Sequence, residues 1–118
     1  RTSSTRVEAP RRTAGPCGTS YGVLECVDVW LGNLTWDVIS FNWGLHDICP
    51  KMYANVSKHE YDANLRAILA KLQGGLAPNG TVVWASTTPV PASYANRNNS
   101  DVIAINARGG VRVIDFRE

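Results

Sequence analysis

The feature that most limits the fold is an alternation of two periodicities. Stretches with apolar residues at helical spacing are interleaved with short, nearly continuous apolar runs, each set off by Gly, Pro or Asn. The first helical stretch is 20–31, where Tyr21, Leu24, Val27 and Leu31 form a stripe, Thr19 or Ser20 can cap the start, and Gly32 ends it. Residues 36–43 follow, with Val38, Ile39, Phe41 and Trp43 too closely spaced for a half-solvated strand. They predict a strand covered on both faces, as in a parallel sheet. Ser57-Lys-His-Glu60 is a capping-box pattern opening a helix with the stripe Tyr61, Leu65, Ile68, Leu69 and Leu72, stopped at Gly74-Gly75. Pro78-Asn-Gly80 predicts a turn into a second buried strand over 81–86. Residues 101–107 read as a short helix, 111–116 as a last strand, and 5–9 as a short strand before Pro10.

Helix and strand alternating three times predicts a layered α/β domain with a parallel sheet. In such folds ligands collect beyond the carboxyl ends of the strands. Three chemically rich segments should meet at that rim: Gly15-Pro16, residues 44–47 and residues 86–91. A chain of 118 residues fits one domain, and 44% hydrophobic with 19% charged residues is ordinary for a globular protein. A net charge of +2 does not argue for a nucleic-acid partner. Arg1, Arg6, Arg11 and Arg12 read as a solvated face. No apolar run approaches the ~20 residues of a membrane span. The chain opens on Arg1 rather than Met, which reads as a trimmed, processed or incomplete start. Cys17, Cys26 and Cys49 fit no zinc spacing, and three cysteines cannot all pair internally; small buried or half-buried thiols are favoured over a disulfide. Four Asn-x-Ser/Thr sequons, at Asn33, Asn55, Asn79 and Asn98, lean toward a secretory route.

Trp36-Asp-Val-Ile-Ser-Phe-Asn-Trp-Gly-Leu-His-Asp47 resembles the third conserved block of SGNH-type (GDSL-like) hydrolases, an apolar strand ending in Gly-x-Asn-Asp. Other segments resemble the family in the same order. Ala14-Gly15-Pro16 with the following helix is similar to the second block. Glu60-Tyr61 and Asn64-Leu65 are similar to the helix after block three, and residues 84–91 to the next strand and loop. Arg97, Asp101-Val102 and Asn106 continue the match. The resemblance implies a three-layer α/β/α, flavodoxin-like fold with a parallel sheet. The chain would be a single partial domain over 1–118, lacking the central first strand.

The family cleaves ester bonds, often acetyl groups on sugars, with a Ser nucleophile activated by a His. The resemblance therefore implies a small-molecule or carbohydrate ester as substrate, and no cofactor. It assigns the oxyanion hole to Gly15 and His46, with His46 standing where the family has Asn. A ring N–H can serve an oxyanion as an amide does, but its protonation makes it sensitive to pH. The plainer alternatives are that His46 hydrogen-bonds within its loop and that Gly15 is a turn glycine. Gly44 makes the turn, Asp47 anchors the loop or orients His46, and Asn42 holds backbone near the strand end. Trp43, Thr87 and Thr88 would line the substrate rim, although a polar loop satisfying its own backbone is the simpler role for the two threonines. Trp30, Trp36 and Trp84 are expected to be buried.

Neither Gly-Asp-Ser nor Asp-x-x-His occurs in the sequence, so the family's nucleophile block and final catalytic block are not among these residues. His59 sits in the capping pattern. The chain alone is therefore expected to be inactive. The alternative to a piece of an esterase is a non-catalytic module binding carbohydrate or acyl groups at the same rim.

Overall fold

The computed structural model describes residues 17–49, 56–91 and 97–110. The elements run α1 (Ser20–Leu31), β1 (Trp36–Phe41), α2 (Lys58–Gly74), β2 (Leu76–Trp84) and α3 (Asn99–Gly110). β1 and β2 pair in parallel, so the protein is a mixed α/β structure. The expected strands at 5–9 and 111–116 lie outside the described residues, as does Gly15.

Helix α2 forms as its sequence dictates. Ser57 Oγ accepts from the Glu60 N–H at 3.2 Å, and Glu60 Oε2 accepts from the Ser57 N–H at 2.9 Å. That reciprocal cap satisfies two amides that the first turn leaves without partners. It also holds the exposed Glu60 carboxyl below its ordinary range, through the Ser57 hydroxyl first and the Ser57 amide second. Tyr61, Leu65, Ile68, Leu69 and Leu72 are all buried. They form the spine of a core that also takes Val23 and Val27 from α1, Phe41 from β1, Val82 from β2, and Val102 and Ile105 from α3.

Helix α1 keeps its expected span, but its buried face is rotated. Thr19 Oγ1 accepts from the Gly22 N–H at 3.1 Å, and Gly32, at φ 60, closes the other end through its N–H to the Asp28 carbonyl. The residues facing the core are Val23, Cys26 and Val27, while Tyr21 points to solvent and Leu24 and Leu31 flank the cluster. Cys26 lies on this buried face. It is joined to Cys17 in a disulfide with Cα atoms 6.1 Å apart, which replaces the two thiols expected there. This bond fastens the turn before α1 to the second turn of the helix, on its buried side. Cys49 stays a buried thiol. The bridge spans a sequence separation of 9, for which loop-closure entropy alone gives about 2–3 kcal/mol. Exchanging both Cys17 and Cys26 for Ser should therefore lower the urea midpoint by that equivalent, and wild-type protein in reductant should match the variant. Unchanged midpoints in both would refute a stabilising bridge.

The sheet departs from expectation in two places. β2 starts at Leu76, not after the Pro78-Asn-Gly80 turn, and ends at Trp84 rather than Ser86. Leu76 pairs with Trp36 while Thr81 pairs with Val38, so the turn residues are an excursion inside the strand. Asn79 takes φ 65 there, a backbone conformation that Asn tolerates. β1 likewise ends at Phe41 rather than continuing to Trp43. Nor are the strands covered on both faces by the described residues. Phe41 and Val82 face the core, whereas Val38 is 61% and Val83 42% exposed. Among the described residues α1 packs against α2, and α2 against β2 and α3. Among the described residues no helix is long and apolar enough to cross a membrane.

Candidate functional site

The carboxyl ends of β1 and β2 open into two loops, 42–49 and 85–91, and these are locked to each other and to the helices by side chains. The Ala85 N–H donates to the Phe41 carbonyl at 2.8 Å, and Asn42 Nδ2 donates to the Ala85 carbonyl at 2.5 Å. Asn42 thus prolongs the ladder beyond the last strand residue. Asn106 grips Thr87 like a strand partner: its Oδ1 accepts from the Thr87 N–H at 2.8 Å and its Nδ2 donates to the Thr87 carbonyl at 2.9 Å. Asn99 does the same to Val90, at 2.8 and 3.0 Å. Arg97, buried, donates from Nε to the Leu45 carbonyl at 2.6 Å. Backbone groups of an irregular rim that no strand pairs among the described residues are satisfied in this way.

Gly44 is the pivot of the first loop. It is buried at φ 151, a conformation left to glycine, with the Ile105, Thr87 and Tyr61 side chains around it. Before it, the Trp43 carbonyl accepts from the Tyr61 hydroxyl at 2.8 Å. After it comes a turn in which the Ile48 N–H reaches the Gly44 carbonyl at 3.3 Å and the Cys49 N–H reaches the His46 carbonyl at 3.2 Å. Burial first, and the charge of Asp47 second, push the Tyr61 hydroxyl far above its ordinary value of 10.0, so it stays a neutral donor. Replacing Tyr61 with Phe leaves the Trp43 carbonyl without this donor. Urea unfolding should show a loss of about 1–2 kcal/mol with an unchanged denaturant slope; a loss within error of zero would mean that water serves the carbonyl equally well.

Asp47, 1% exposed, ties this loop to α1. Its Oδ1 accepts from the Ser20 N–H at 2.9 Å and from the Ser20 hydroxyl at 2.5 Å. Asn64 Nδ2 donates in turn to the Ser20 oxygen at 3.2 Å, which brings α2 into the same network. The carboxylate therefore faces the positive end of the α1 dipole. Burial nonetheless dominates and raises its pKa from 3.8, against the opposing pull of the Ser20 hydroxyl, the Ser20 amide, its own backbone and His46. Asp47 Oδ2 is buried without a hydrogen-bond partner among the described residues. A pocket of about 210 Å³ opens beside it, bounded by Asp47, Ser57, Lys58, Tyr61, Asp101 and Ile105.

His46 is half-buried, with its ring against the turn before α1. A Cβ placed on Gly18 would lie 3.3 Å from His46 Cδ2. Of the residues singled out from sequence, Asn42, Trp43, Gly44, His46 and Asp47 share one loop, and Thr87 faces Gly44 across the sheet end. Thr87 is buried with its hydroxyl directed inward, while Thr88 is exposed. The Trp43 ring stacks on Trp30 with centroids 6.2 Å apart and planes 2° apart, and leans on Phe41 at 5.1 Å, so one of its faces is taken by protein. Trp30, Trp36 and Trp84 are half-buried. Sequence reading missed Ser20 as the partner of Asp47, because the two are 27 residues apart. It also missed the two Asn forks; their only signal was a pair of amide side chains on a short helix following a Pro-rich loop. No group of three or more His, Cys, Asp or Glu side chains among the described residues is arranged to hold a metal ion.

No family model matches the chain, and no curated protein or solved structure matches it either.

Proposed function

We propose that these residues form the oxyanion side of an SGNH-type serine esterase acting on acetyl or other small acyl esters, including those on carbohydrates, within a three-layer α/β/α fold. The observation that carries this reading is the junction between the 44–49 turn and the start of α1. His46 lies against Gly18, and Asp47 is bonded to Ser20, so the loop that resembles block three meets the segment directly after the Ala14-Gly15-Pro16 stretch that resembles block two. Attack on an ester carbonyl puts a negative charge on its oxygen. A ring N–H of His46 and the amide of Gly15 are the donors assigned to that charge, and the nearby α1 N-terminus adds a favourable field. Asp47 is a positioning residue. Its carboxylate is engaged by Ser20, and it fixes the residue next to His46 in sequence. Ser20 is fully buried and hydrogen-bonded to a carboxylate, so it is not the nucleophile. The nucleophilic Ser and its His are supplied by segments of the whole protein other than residues 1–118, which by themselves should not turn over p-nitrophenyl acetate.

The test uses the whole natural protein that contains this chain. It should hydrolyse p-nitrophenyl acetate or acetylated sugars. His46→Ala should lower kcat about 10²–10³-fold with a small change in KM, the signature of a lost oxyanion donor, and His46→Asn should restore much of it. Absence of ester hydrolysis, or a kcat indifferent to His46, would sink the proposal. The pocket flanked by Lys58, Tyr61 and Asp101 favours one second reading, a module that binds a sugar through its hydroxyls without cleaving it. Quenching of Trp fluorescence by unmodified glycans, in a protein inert toward esters, would select that reading.

A further inference from the structure

We propose that Asn33 and Asn79 are N-glycan acceptors and that the two glycans stand together at the end of the sheet opposite the candidate site. Both begin sequons, Asn33-Leu-Thr35 and Asn79-Gly-Thr81. Both residues, and the threonine of each sequon, are exposed and lie outside the helices. Neither Asn side chain has a hydrogen-bond partner among the described residues. Asn33 follows the α1 cap at Gly32 and precedes β1, while Asn79 sits at φ 65 in the excursion of β2, beyond the point where Leu76 pairs with Trp36. The two acceptors therefore flank the amino ends of the parallel strands. The 42–49 and 85–91 loops are at the carboxyl ends, and a bulky, hydrated substituent at the far end leaves them open.

The Cys17–Cys26 disulfide supports the proposal independently, because such bonds persist in the oxidising compartments where N-glycans are added. The other two sequons differ. Asn98 is engaged at the start of α3: its Oδ1 accepts from the Asp101 N–H at 2.9 Å and from the Ser100 hydroxyl, and its Nδ2 donates to Asp101 Oδ2 at 2.7 Å. A glycan on that nitrogen would crowd the cap. In the Asn55 sequon, the hydroxyl of Ser57 is engaged in the α2 capping box, and Asn55 itself lies outside the described residues. In the modification, the Asn amide nitrogen bonds to C1 of an oligosaccharide carried on a lipid diphosphate. The C1–O bond to the diphosphate breaks, the lipid diphosphate leaves with the electron pair, and one amide proton is released to base.

The experiment takes the whole protein purified from its native cells, treats it with a peptide-N-glycosidase, and maps the Asn-to-Asp conversions by peptide mass. Conversion is expected at Asn33 and Asn79, and not at Asn98. In the same cells, Asn33→Gln and Asn79→Gln should each remove one step of gel mobility, and the double variant both. Thr35→Ala and Thr81→Ala, which keep each Asn, should repeat the pattern and separate lost glycosylation from lost folding. No conversion at all, conversion at only one of the two positions, or conversion at Asn98 in place of either overturns the proposal.

Discussion

Replacing Gly44 with Ala should lower the unfolding free energy by about 2–4 kcal/mol, from overpacking and backbone strain together. A Cβ at this position would lie 2.5 Å from Ile105 Cδ1 and 2.9 Å from Thr87 Oγ1, closer than real contacts allow. The Ile105 methyl and the Thr87 hydroxyl can each turn aside. The φ of 151° cannot be relieved without moving the chain. Movement here is transmitted, because the carbonyl before Gly44 is held by Tyr61 and the residues after it carry His46 and Asp47. The variant should thus lose stability by urea unfolding; on the proposed esterase reading, the whole protein should also lose ester hydrolysis beyond its loss of folded fraction. Combining it with Ile105→Val should recover part of the stability, since that removes the nearest clashing atom, but not the part due to φ. A Gly44→Ala protein as stable as wild type would show that the loop is not held in this conformation. Full recovery with Ile105→Val would show that the backbone term is negligible.

The elements legible from sequence were those decided within a few residues. The Ser57–Glu60 cap and the stripe from Tyr61 to Leu72 set α2 completely, because each partner lies within a turn or two along the chain. α1 was legible in extent but not in orientation. Its stripe is ambiguous between Tyr21 with Leu24 and Val23 with Cys26, and the disulfide to Cys17 together with packing on α2 decides between them. β2 was misread at its start because Pro78-Asn-Gly80 is a strong local turn signal, which pairing of Leu76 with Trp36 across the sheet overrides without removing the turn. Continuous apolar runs in β1 and β2 pointed to cover on both faces, yet Val38 and Val83 are open among the described residues. The runs report the strands' composition, and the cover depends on what lies elsewhere in the chain. The candidate site followed the same division. The loop of Asn42, Gly44, His46 and Asp47 is contiguous and visible in sequence; its attachments to Ser20, Asn64, Arg97 and Thr87 are not, because they join residues from different elements.

Asp47→Ala should be the most damaging change at the junction with α1, lowering stability by about 2–4 kcal/mol, because it leaves both the Ser20 amide and the Ser20 hydroxyl without their buried acceptor. Asp47→Asn separates that acceptor role from the charge. An Asn oxygen can still receive the Ser20 N–H, and the second carboxylate oxygen has no partner among the described residues to lose. The sign of the pH effect follows from the raised pKa, whose main cause is burial. The folded state favours the protonated carboxyl more than the unfolded chain does. Asp47 therefore contributes its full share to stability below its unfolded value of 3.8, and that share is lost as pH rises through the higher folded value. The Asn side chain carries no such dependence. Relative to wild type, Asp47→Asn should thus be least favourable below pH 3.8 and gain as pH rises through the higher folded value, above which wild type must bury a charge. Paired urea unfolding of the two proteins across this range cancels the titration of all other groups to first order. A difference that is flat with pH, or that grows against the Asn variant as pH rises, would mean that the Ser20 contacts and the α1 dipole outweigh burial at this carboxylate.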